Sequence, residues 1–239
     1  MEPVLFYGVP SGCSLASIIA LEWLGRPYRL SRVEMMEQPW PSAFARINPK
    51  MKTPALVLGD GDTLTESLAI LMHIARRGQE GSGTTERIPS RAAGAKSPDD
   101  GLAEMLAYLT TDFFNAFGPL WLAYESGELD AGSKAMLRKL GETDVRREFA
   151  YLNRHLAKKD WLLGGEVPTV ADAYLYAVAR WADYHDIFNL EREYPEVFRL
   201  LSKLRQEPAV QFAVAIENGE DVRGNGAFLG HVTLQDALK

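Results

Sequence analysis

The sequence predicts two unlike parts in one chain: a small α/β unit first, then an all-helical one. Three observations carry that expectation. Strand-prone runs and helical patterns alternate over the first 77 residues, residues 78–101 are dense in Gly, Ser, Pro and charge, and strand signals nearly vanish afterwards. With 239 residues, 46% hydrophobic and 24% charged, the composition is that of a soluble globular protein with a sizeable core.

Taken in order, Val4-Leu5-Phe6-Tyr7 is β-prone. Leu15, Ile18, Ile19 and residues 21–24 then recur at helical spacing, closed by Gly25 as C-cap with Pro27 beyond. Residues 28–33 alternate as a second strand, and 42–47 give a short helix. Residues 55–58 and a stub at Thr63-Leu64 flank the turn sequence GDGD, which reads as a hairpin, and a further helix covers 68–76. The expected organisation is 1–77 as the α/β domain, 78–101 as linker and 102–218 as the helical domain. Helices are expected at 102–126, 131–159, 170–186 and 194–216. The tail 219–239 has little periodicity and is expected to wrap the surface or fray.

Composition excludes several partners and chemistries. A net charge of −6 argues against nucleic acid or an anionic membrane surface, and no apolar run reaches the ~20 residues of a membrane span. The start, Met1-Glu2-Pro3, lacks a signal-peptide pattern, and a single Cys forms no internal disulfide, so a cytoplasmic location is expected. The four histidines are scattered singly, so no metal is expected. Walker, dinucleotide-binding and G-x-S-x-G motifs are absent.

Three places offer chemistry. Cys13 lies between a strand end and a helix start, with Ser11 and Ser14 beside it. Helix N-terminal N–H groups favour a thiolate, and can hold this thiol below its free pKa of ~8.5. They equally stabilise another molecule's thiolate bonded to Ser11, Cys13 or Ser14; the opposing reading is an inert small hydrophobe. Thr53-Pro54 precedes a strand, where a cis bond would turn the Thr53 N–H and C=O outward for an extended peptide, against an ordinary trans proline. Glu66-Ser67 opens a helix and suits a carboxylate and an ammonium, against plain capping.

Together these stretches resemble the glutathione transferase superfamily. LFYGVPSGCSLASIIALEWLG, NPKMKTPAL and TESLAIL stand in the order of its thioredoxin-like domain. WLLGGEVPTVADAYLYAVARWA, residues 161–182, is similar to the capping-box segment of its helical domain, with Thr169 and Asp172 as the box. YPEVFRLLSKLRQEPAVQFAV resembles its closing helix. GCSLAS is most like the bacterial beta class, whose active-site cysteine matches Cys13. SGCSLASIIAL also aligns with the zeta-class SSCS motif, whose serine falls at Ser11.

The resemblance implies a cytoplasmic, homodimeric glutathione transferase or thiol transferase in detoxification, with glutathione as its only cosubstrate and its thiol directed at a small hydrophobic electrophile or a mixed disulfide. Glutathione would meet Met35, Lys52, Thr53, Pro54, Glu66 and Ser67, with Asp112 placed where the neighbouring subunit's acid often comes from. In TTDFFNAFGPLW, Phe114 and Asn115 replace a beta-class His and Lys. Phe114, Phe117 and Trp121 would line the electrophile pocket, although an aromatic helical stripe is also ordinary core. The alternatives are a zeta-like isomerase or lyase, and a non-catalytic binding or regulatory member.

Overall fold

The computed structural model describes residues 2–79 and 98–239. Strand β1 (Val4–Val9) feeds helix α1 (Leu15–Leu24), followed by β2 (Tyr28–Glu34) and a 3-10 turn over Ser42–Arg46. The hairpin β3 (Ala55–Val57) and β4 (Thr63–Thr65) leads into α2 (Ser67–Gln79). β1 runs parallel to β2 and antiparallel to β3, as a thioredoxin-like domain requires. Val4 and Phe6 face a small core with Phe44, Ile47, Ala55 and Val57, while Leu5, Tyr7 and Val9 face the large one.

The helical domain comprises α3 (Pro98–Tyr108), a π-turn at Leu109–Phe113, α4 (Phe114–Ala116), α5 (Gly118–Glu125) and α6 (Ala131–Leu156). It continues with α7 (Val170–Ala179), α8 (Trp181–Tyr184), α9 (Leu190–Glu193), α10 (Pro195–Arg205) and α11 (Pro208–Glu217). Three of the expected helices are broken. Pro119 restarts 102–126 as α5, Pro208 divides 194–216, and Arg180 parts α7 from α8. The linker reading falls largely outside the described residues, and its two edges are helical, in α2 and α3.

The capping box forms: the Thr169 N–H donates to Asp172 Oδ2 at 2.8 Å, and Asp172 Oδ1 takes the Leu162 N–H at 2.9 Å. Every residue of α1 is buried, because α7 and α11 pack on the side that the sheet leaves open. Among the described residues no helix is long and apolar enough to cross a membrane.

Of the two outcomes expected for the tail, wrapping the surface and fraying, the structure shows an ordered wrap. The tail supplies β5 (Phe228–His231), parallel to β2 as a fifth strand, and α12 (Leu234–Ala237) beside the small core. Its anchor is Glu22, a carboxylate inside α1 that accepts from Tyr28 Oη at 2.5 Å and from the Asn225 N–H at 2.9 Å. A Cβ on Gly224 would stand 2.6 Å from that carboxylate, so glycine permits the approach.

Candidate active site

The turn from β1 to α1 holds Cys13 because its backbone folds very tightly. A Cβ on Gly12 would lie 2.3 Å from the Gly8 carbonyl oxygen, and Ser11 adopts φ 53°. The Ser14 hydroxyl is spent on this turn: it accepts the Gly8 N–H at 2.9 Å and is buried. Ser14, expected beside the reacting sulfur, is thus engaged within the turn and does not line the cavity over Cys13.

Cys13 Sγ lies 3.7 Å from Ser67 Oγ at the start of α2. The Tyr174 hydroxyl of α7 interacts with both, and burial beside Cys13 pushes its pKa up, so it remains a donor. Burial also pushes the Cys13 thiol above its ordinary value, against the smaller pull of Ser67 and Arg180. The expected lowering by the helix terminus does not prevail. The Leu15 and Ala16 N–H groups are already bonded to the Gly12 and Cys13 carbonyls, at 3.3 and 3.2 Å.

Thr53-Pro54 is cis, and among the described residues the Thr53 N–H and C=O have no protein partner. Thr53 Oγ1 contacts the Met35 sulfur at 3.9 Å, and both residues line the cavity over Cys13. Glu66 takes φ 72° and is ion-paired with Lys50, which also donates to Thr65 Oγ1 at 2.9 Å. Lys50 thus occupies the neighbourhood expected of Lys52. The Asn48 turn decides this: Asn48 Oδ1 takes the Lys50 N–H, and Asn48 Nδ2 donates to the Lys52 carbonyl. The Lys52 side chain does not line the cavity.

The cavity over Cys13 holds about 550 Å³ and is walled by Phe114, Trp121, Tyr124, Trp181 and Tyr184, with Met36 at its mouth. Phe114 and Trp121 line this cavity. Phe117 does not, being fully buried and edge-on to Phe113 and Trp181. Asp112 is exposed on the π-turn, accepts from Thr111 Oγ1 and does not line this cavity.

Sequence reasoning missed Tyr174, Lys50, Arg180 and Trp181. Arg180 chelates Glu217 and donates to the Gly12 carbonyl at 3.3 Å, while Trp181 Nε1 donates to that of Ser11. The first, third and fourth lie inside or just after the quoted capping-box run, where a polar head in an apolar helix is the available signal. Among the described residues, no three His, Cys, Asp or Glu side chains gather as metal ligands would.

A thioredoxin-like domain presenting a thiol and the free Thr53 main chain ahead of β3, closed by a helical domain with an aromatic cavity, is the plan of the glutathione transferases. Models of the glutathione S-transferase N-terminal and C-terminal domains match residues 10–77 and 128–202. The glutathione S-transferase GstA of Escherichia coli O157:H7 is 31% identical over 220 residues, covering 89% of this chain and 98% of the relative. A sphingomonad glutathione S-transferase complexed with glutathione superposes with TM-score 0.73 at 30% identity, over 90% of this chain and 98% of that one. The beta-class enzyme of Sphingomonas chungbukensis gives 0.73 at 29%, with the same coverage. The chain belongs to the glutathione S-transferase family and is a glutathione transferase.

Proposed function

We propose that this enzyme binds glutathione extended from Glu66 and Ser67 to Thr53 and joins its sulfur to a flat aromatic electrophile. The thiol proton passes to water, and the electrophile's leaving group, such as halide, departs with the bonding pair to solvent. The distance of 3.7 Å between Ser67 Oγ, at the start of α2, and Cys13 Sγ, which lines the aromatic-walled cavity, carries the reading. The γ-glutamyl carboxylate meets the Ser67 hydroxyl and the start of α2, and its ammonium meets Glu66. The Thr53 N–H and C=O pair with the cysteinyl unit as a strand neighbour would. The sulfur then lies over Cys13 and Ser11. With Cys13 held as a neutral thiol, its S–H donates to the bound thiolate, so hydrogen bonding is favoured over a covalent route. Rings from α4, α5 and α8 stack on the acceptor, holding it for attack. The protein acts as a cytoplasmic homodimer in detoxification, without a metal.

Glutathione titration of Glu66→Ala/Ser67→Ala tests the binding mode. The double variant removes a charge-assisted contact and a hydroxyl, and should weaken binding at least about tenfold, or ~1.4 kcal/mol. An unchanged curve removes this site from consideration. A panel of aryl and alkyl halides of equal reactivity tests the acceptor: aryl turnover should lead, and parity would refute the aromatic assignment.

A further inference from the structure

We propose that the C-terminal tail completes a second binding site, for a small organic cation with an aromatic body, in the fork between β2 and the tail. β5 pairs with β2 only near Tyr28 and Leu30. Beyond that point the chains diverge around a cavity of about 690 Å³, and none of its lining residues also lines the cavity over Cys13. The family models match no further than residue 202, so the tail lies outside them.

The chemistry of the walls selects the ligand. Trp40 and Phe228 present partly exposed rings, backed by the buried Phe6 and Phe44, and Tyr7 Oη bonds His231 Nε2 at 2.9 Å. Four carboxylates, Glu34, Glu37, Glu220 and Asp221, surround these rings against one guanidinium. That guanidinium, Arg32, is spent on Glu34 at 2.6 Å and on the Ile216 and Glu217 carbonyls at 3.3 and 2.9 Å. Partial burial and Arg32 hold His231 below its ordinary pKa, which disfavours a positive charge on that ring. Glu37, Glu220 and Asp221 have no ion pair among the described residues. Aromatic faces and surplus carboxylates attract an organic cation and repel an anion.

Isothermal titration with choline phenyl ether tests the site, alongside its neutral isostere, in which a tert-butyl group replaces the trimethylammonium, and phenoxyacetate. The cation should bind the full chain at least about tenfold more tightly than either. Glu37→Gln/Asp221→Asn should cost about fivefold or more, an effect that shrinks with added salt. Glu125→Gln, at the cavity over Cys13, should leave the affinity alone. Equal binding of the neutral isostere, an unchanged affinity in the double variant, or a loss confined to Glu125→Gln would each overturn the proposal. None of these readouts uses glutathione, so the outcome is independent of the proposed transferase site.

Discussion

Trp181 Nε1 donates to the Ser11 carbonyl oxygen at 2.8 Å, joining α8 to the turn that presents Cys13 across 170 residues of sequence. Arg180 reinforces the contact through the neighbouring Gly12 carbonyl. The helical domain therefore fixes the backbone of the thiol turn as well as walling the cavity over Cys13.

Trp181→Phe keeps a ring against Phe114, Phe117 and Trp121 but leaves the Ser11 carbonyl without its donor. An unsatisfied buried acceptor costs about 1–3 kcal/mol, and a loosened turn misplaces the sulfur. Urea unfolding should show that loss, and kcat/KM should fall together with it. An unchanged midpoint would mean the indole bond is incidental.

Burial holds the Cys13 thiol above its ordinary value. Alkylation by iodoacetamide should then rise with pH along a curve displaced to the alkaline side of a free cysteine's ~8.5. The native state binds the proton more tightly than the unfolded chain, so this group's contribution to stability is full below that value and lost as pH rises through the folded pKa. Ser67→Ala removes a bond that favours the thiolate and should push the curve further up. A midpoint below that of free cysteine would contradict the burial account.

Glu66 is strained at φ 72°, and its exposed pairing with Lys50 stabilises little. Glu66→Ala and Glu66→Gly both delete the carboxylate, but only glycine relaxes the backbone. The glycine variant should be the more stable by about 1 kcal/mol, with equal losses in glutathione affinity. Equal unfolding midpoints would show that the conformation is not costly.

The elements of the first domain were legible because their periodicity, the Gly25 cap and the GDGD turn all act locally. The motif stretches likewise pointed to Cys13, Thr53 and Ser67, of which Cys13 and Thr53 line one cavity and Ser67 lies 3.7 Å from the thiol. Ser14 and Phe117 were not separable from their neighbours, since which side of a tight turn or helix meets the cavity depends on partners far away, Gly8 for one and Trp181 for the other. Lys50 and Lys52 differ only through the Asn48 turn. The tail was illegible for a related reason: a four-residue strand needs β2 to exist, and its pattern alone is too short to show.

Glu22 was the overlooked signal, a charge within the apolar run of α1. It gathers the Tyr28 hydroxyl, the Asn225 N–H and, through its main-chain carbonyl, Asn225 Nδ2 at 2.5 Å. Glu22→Ala would leave a buried phenol and a backbone donor unpaired, costing about 1–3 kcal/mol for each group left unsatisfied. Much of that loss should fall on the tail, because β5 adds only a short pairing of its own. Limited proteolysis should cut the variant first between 220 and 230 while the remaining fragment stays folded. Glu22→Gln keeps acceptor oxygen and shape, so it should restore most of the protection. If the Ala variant instead unfolded as one unit, with no early cut in the tail, Glu22 would be serving the core of α1 and not the anchorage of the C-terminus.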